Sequence, residues 1–235
     1  MQKIVVLISG GMDSTTLLHH CRRMYGYNVE IHALSVFYGQ RHHKEMACAR
    51  SQAERANAIL KRIDLSVLRE ALWMDSVLVG GADVPNSDDV PEADRNQPPT
   101  YVPARNCILL SVAVGYAEAV GADRVYYGAH MQDEYGYWDC TPEYVRKFNE
   151  LLSLNRKHTI QIICPFENKT KSDIVLMANQ LGVDLGDTWT CYKGLGKPCG
   201  HCATCTERLG AFARAGLVDP VEYDRDAHEA ASSEL

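Results

Sequence analysis

Apolar residues open the chain in an unbroken run, Ile4-Val5-Val6-Leu7-Ile8, and then recur at helical spacing, and the same alternation repeats downstream. A continuous apolar run closed by Ser9-Gly10-Gly11 predicts a strand buried on both faces, as in a parallel sheet. Leu17, Leu18 and Cys21 keep helical spacing across 14–24, and Gly26 stops that helix before a second strand at 30–36. A helix ending near residue 58 and a third strand at 59–64 continue the pattern. Ile108, Leu109, Val112, Ala113 and Tyr116 then mark a helix to Val120, with Pro103 in its first turn. A fourth strand at 123–127, a helix at 141–154 and a fifth strand at 159–164 follow. Thr170 with Asp173 three residues on predicts a capped helix to Leu181, stopped by Gly182, and Leu209 and Phe212 lie on a last helix at 203–215. Strands alternating with helices predict an α/β fold, a parallel five-stranded sheet flanked by helices in the Rossmann manner, with a small C-terminal helical module.

Between the third strand and the middle helix this periodicity fades. Gly, Pro, Asn and Asp dominate 80–99, which reads as a long loop, either a lid or an insertion. Beyond Val221 the chain turns polar and acidic and is expected to be disordered. The expected organisation is an α/β domain over 1–187, a metal-binding module over 188–220 and a tail over 221–235. At 235 residues the chain can bury a sizeable core, and no apolar run approaches a membrane span. A net charge of -6 disfavours a broad nucleic-acid surface and favours small substrates. Nine cysteines without a signal-peptide pattern point to a reducing compartment, the cytoplasm, and to metal binding before disulfides.

The candidate chemistry gathers where strands end and helices begin. Ser9-Gly10-Gly11-Met12-Asp13-Ser14-Thr15 follows the first strand, where two glycines allow close backbone approach and a helix N-terminus offers free N–H groups to an anion. Asp13 suits Mg²⁺ better than phosphate, since carboxylate and phosphate repel. Neither GxxxxGK[ST] nor GxGxxG occurs there. Arg41, His42, His43 and Lys44 follow the second strand at the edge where such sheets bind ligands, Arg105 and Asn106 project from the first turn of the middle helix, where Arg105 can meet a phosphate, and Lys169 and Lys171 flank the start of the capped helix, where either can reach ATP phosphates. After the fourth strand, the segment from His130 to Cys140 mixes carboxylates with Tyr135, Tyr137 and Trp138, which suits a planar heterocycle that donates hydrogen bonds.

Cys191, Cys199, Cys202 and Cys205 give C-x7-C-x2-C-x2-C, a spacing suited to a closed tetrahedral zinc site, with His201 as an alternative ligand. The spacing matches neither usual ferredoxin pattern.

SGGMDS resembles the SGGxDS loop of the ATP pyrophosphatases, which release AMP and pyrophosphate. SGGMDSTT, FYGQRH, TYVPARN, GYWDC and TWTCY leading into CGHCATC together resemble the 7-cyano-7-deazaguanine synthase family, of the adenine nucleotide alpha hydrolase type. That resemblance implies strand order 3-2-1-4-5, a homodimer, a structural Zn²⁺, and conversion of 7-carboxy-7-deazaguanine with ammonia, driven by ATP and Mg²⁺, through adenylated acid and amide to the nitrile. It implies nucleotide contacts from Ile8, Ser9, Gly10, Gly11, Met12, Asp13, Ser14, Thr15, Thr16, Val36, Arg41, Asn106 and Gly128. Asp13, Ser14, Arg105 and Lys171 would serve catalysis, and Asp133, Tyr137 and Asp139 the deazaguanine ring. Glu134, Tyr135 and Trp138 depart from the family's D-[YF]-S-G-Y-P-D-C. The alternative they raise is an enzyme that stops at the amide or joins the activated ring to another amine, such as a protein's. Rival classes are another ATP pyrophosphatase, such as a tRNA sulfurtransferase or an ammonia-fed synthetase, and a nucleotide-sensing zinc module without turnover.

Overall fold

Side chains alternate across a strand, so a strand apolar throughout must be covered on both sides. In the computed structural model, which describes residues 1–40, 43–80, 82–87, 90, 99–130, 137–193 and 196–224, the first strand, β1 (Gln2–Leu7), meets this requirement. Ile4 and Val6 enter one hydrophobic cluster, and Val5 and Leu7 enter another on the opposite face. Helix α1 (Met12–Tyr25), strand β2 (Val29–Phe37), helix α2 (His43–Arg55) and strand β3 (Ile59–Asp64) follow. Then come α3 (Arg105–Val120), β4 (Arg124–Tyr126), α4 (Pro142–Leu152), β5 (Gln161–Ile163), α5 (Lys171–Leu181) and α6 (Ala203–Arg214). The five strands are parallel in the order β3-β2-β1-β4-β5, the order that the resemblance implies.

Leu17, Leu18 and Cys21 of α1, Ala49 and Ala53 of α2 and Ile174 of α5 cover the face carrying Ile4 and Val6. Leu110, Ala113 and Ala117 of α3 with Val145 and Phe148 of α4 cover the other. The chain runs outward from β1 to β2 and β3, and the later strands extend the opposite way from β4. The crevice at the carboxyl ends of β1 and β4 is therefore the switch point at which such sheets take ligands. Thr170 and Asp173 complete the full reciprocal cap of α5.

Three features differ from the sequence expectation. Helix α3 starts at Arg105, beyond Pro103, because Ala104 takes a left-handed conformation (φ 49°, ψ 26°) that interrupts helical geometry. Residues 66–73, where periodicity fades, form two short helical turns, and the indole of Trp73 is fully buried, its Nε1 donating to the Pro103 carbonyl at 3.0 Å. Trp73, Leu78, Val79, Val84 and Val102 pack in one cluster with Trp189, Cys191, Cys199, Cys202, Cys205 and Tyr223, so the cysteine segment shares its core with residues from the stretch between β3 and α3. Tyr223 is buried and donates to Asp219, which docks the start of the segment read as tail.

Replacing the fully buried Trp73 by Ala should cost about 3 to 5 kcal/mol of stability. Urea unfolding of the Trp73→Ala protein checks this, and a loss under 1 kcal/mol (roughly a Val-sized trim,) would contradict the shared core.

Candidate active site

The turn between β1 and α1 is built on hydroxyls. Ser9 N–H donates to Ser14 Oγ at 3.1 Å, Gly11 N–H donates to Ser9 Oγ at 3.1 Å, and the two hydroxyls lie 3.0 Å apart. Gly10 has φ +93°, and a Cβ there would lie 2.0 Å from the Glu45 carbonyl oxygen, so neither its backbone nor its surroundings admit a side chain. The Trp189 N–H donates to the Gly10 carbonyl at 3.0 Å. Thr15 and Thr16 are fully buried below the turn with Met12, Thr16 donating to the Met12 carbonyl. Gly128, at the end of β4, packs beside Ser14, which brings the two strand ends together.

A cleft opens over this turn. Ile8, Ser9, Gly11, Asp13, Ser14, Val36, Arg105, Asn106, Gly128 and Tyr137 all line it, as do Tyr38, Glu45, Cys140 and Tyr192. Gly10, Met12, Thr15, Thr16 and Lys171 do not line it. Tyr101 and Tyr137 stack at 6.1 Å between centroids and 21° between planes, beside the cleft, offering a flat aromatic wall. Arg105 donates to the Tyr38 hydroxyl at 3.4 Å. A second cavity, lined by Arg50, Glu54, Leu60 and Arg62 among others, lies against α2 and β3 and shares none of the cleft's residues.

Asp13 has a lysine and a histidine beside it. Lys171 Nζ and His130 Nε2 each lie 3.9 Å from its Oδ2, and Lys171 also bonds Glu207 of α6 at 2.8 Å. Among the described residues, the buried Asp13 Oδ1 has no hydrogen-bond partner. An acceptor left empty in this way is an oxygen suited to a hard divalent cation.

Asp139, read from the sequence as a ring contact, is bonded to the start of α3. It is 1 % exposed, and its two oxygens accept from Asn106 N–H at 3.0 Å and Asn106 Nδ2 at 3.2 Å. Ala104, the N-cap of α3, has no side chain able to bond the helix end, and the Asp139 carboxylate supplies that bond from a distant segment. The Asn106 amide donates also to Cys140 Sγ, so Asn106 is spent on holding the helix end. Arg41 and Asp133, read as nucleotide and ring contacts, lie outside the described residues, as do His42, Glu134 and Tyr135.

Cys191, Cys199, Cys202 and Cys205 are all buried, and their Sγ atoms lie within 4.8 Å of one another, a group that can hold a metal ion and that does not include His201. Backbone N–H groups of Cys199 and Cys202 donate to the sulfurs of Cys191 and Cys199. The strap 188–191 joins this cluster to the nucleotide-type turn. Arg208, 2 % exposed, holds the strap by donating to Thr188 Oγ1 at 2.7 Å and Thr190 Oγ1 at 3.2 Å while gripping both oxygens of Asp219 at 2.7 and 2.9 Å.

The QueC model, "Queuosine biosynthesis protein QueC", matches residues 3–216. The chain belongs to the QueC family. Among relatives of this QueC chain, the 7-cyano-7-deazaguanine synthase of Pseudoalteromonas atlantica is 42% identical over 95% of this chain and 100% of its own. That of Nostoc punctiforme is 41% identical over 94% of this chain and 99% of its own. The fold is shared with NMN synthetase from Francisella tularensis, at TM-score 0.50 and 15% identity over 99% of this chain and 82% of that one. The U34-tRNA thiolase NcsA from Methanococcus maripaludis matches at TM-score 0.50 and 15% identity, over 91% of this chain and 64% of the thiolase.

Several residues that shape this site escape sequence reading: Glu45, Trp189, Glu207, Arg208 and Asp219. Their only local signals are the helix start after FYGQRH and the TWTCY run. Replacing Asp139 by Ala should cost about 1 to 3 kcal/mol, because the buried N–H of Asn106 loses its acceptor. Thermal unfolding of the Asp139→Ala protein measures this; unchanged stability would assign Asp139 no structural role at the start of α3.

Proposed function

We propose that the chain is a 7-cyano-7-deazaguanine synthase, converting 7-carboxy-7-deazaguanine and ammonia to the nitrile with two ATP molecules cleaved to AMP and pyrophosphate. Full-length identity to relatives of that name carries the proposal. The site is consistent with it. Ser9, Gly11 and the N-terminus of α1 hold the phosphates, and Lys171 and Arg105 balance the charge that develops on them. Asp13 Oδ1, without a partner among the described residues, would hold Mg²⁺, which would supply neutralisation of phosphate charge. The wall of Tyr101 and Tyr137, with Asp133, receives the ring. Four buried thiol donors leave no open position for substrate water, so Zn²⁺ there is structural. The family resemblance carries homodimeric assembly and a cytoplasmic location with it.

Incubation with the acid, ATP, Mg²⁺ and ammonium should yield the nitrile by mass spectrometry, with AMP and pyrophosphate. An amide that accumulates and is never dehydrated when supplied as substrate would overturn the assignment in favour of an amide-forming or conjugating enzyme. Asp13→Asn should lower turnover by roughly 10²-fold or more with the fold retained. Elemental analysis should find one zinc per chain, and its removal by chelator should destabilise the C-terminal third, because metal binding there is also folding energy.

A further inference from the structure

Among the described residues lining the cleft only two carry carboxylates, and they stand in opposite circumstances. Asp13 faces Lys171 and His130. Glu45, in the first turn of α2, makes no hydrogen bond or ion pair among the described residues, although its backbone carbonyl is wedged against Gly10 of the nucleotide-type turn. Arg105 of α3 is the charged group that pulls on its carboxylate, and the carboxylate's own charge reaches Tyr38 after β2, Tyr192 after the strap and Cys48 on its own helix.

We propose that Glu45 is the proton acceptor for the reacting nitrogen, a catalytic residue of the reaction assigned above, on which this inference rests. In the first half, ammonia's nitrogen bonds the acyl carbon, the bond from that carbon to the AMP oxygen breaks with its electron pair leaving on AMP, and one N–H proton passes to Glu45. In the second half, the amide oxygen bonds the α-phosphorus of ATP, pyrophosphate leaves, and one N–H proton is lost. The C–O bond then breaks with AMP leaving, the last N–H proton is lost and the nitrile forms. Each half sheds protons from the same nitrogen, so one acceptor beside it serves throughout. Burial raises the Glu45 carboxyl from 4.5 to about 8, against the opposing pull of Arg105. A group of that affinity takes and returns protons near neutrality, whereas a carboxylate fixed on ring N–H donors has to stay ionised.

The test separates the halves in wild type and Glu45→Gln. Acid-dependent exchange of pyrophosphate into ATP, run without ammonium, needs no nitrogen and should fall no more than several-fold in the variant. Dehydration of supplied amide, which removes ammonium's own titration, should fall about 10²-fold or more at pH 7. In wild type that rate should rise with pH through about 8, and the variant should lose this inflection. The wild-type profile stands even if the variant misfolds. A variant that dehydrates amide at the wild-type rate, a wild-type profile flat through pH 8, or a defect confined to the KM of the acid would each overturn the role, the last making Glu45 a ring contact. No acid-dependent exchange in wild type would overturn the synthase reading itself, and Glu45's role with it.

Discussion

One glycine fixes the geometry of the site. The backbone at Gly10 is caught between the Trp189 N–H, which bonds its carbonyl, and the Glu45 carbonyl, which fills the space of a Cβ. Three segments far apart in sequence, the end of β1, the start of α2 and the strap before Cys191, therefore meet at a single residue. Sheet, helix and cysteine cluster are brought into one register there. Arg208 and Asp219 brace the strap from behind as a fully buried, bidentate pair, an arrangement that holds position because breaking either side leaves a charge unpaired.

The charges in the cleft are divided accordingly. At one end Asp13 lines the cleft, and behind it Lys171 lies between Asp13 and Glu207, with His130 also beside Asp13. The other end is lined instead with Tyr38, Tyr137, Tyr192 and Arg105, and there desolvation raises the proton affinity of the Glu45 carboxyl against the pull of Arg105. The switch point places these two environments side by side.

β1, its turn and α1 are legible in the sequence because their signals are local: an apolar run, two glycines, then helical spacing. The four cysteines are legible for the same reason, since a metal site of this kind is written in its spacing. The cap of α5 also reads directly, as both of its members lie within one turn. The Asp139 to Asn106 bond does not, because it spans 33 residues and exists only once α3 packs against the segment after β4. Arg208 likewise reads as an ordinary helix arginine until the fold buries it against Asp219. Ala104 shows the limit most clearly, for nothing in Pro103-Ala104-Arg105 announces a left-handed alanine.

The hydroxyls of Ser9 and Ser14 occupy the loop's N–H donors, and this bears on how fast the site can fill. A turn with bare amides would either collapse or wait for water to order it. Here a rotation about one side-chain bond exposes each donor while the backbone stays where Gly10 pins it. The ordering entropy of the loop is thus met during folding rather than at each encounter, so that ligand capture in this region asks for sub-nanosecond rotor motion and no backbone rearrangement.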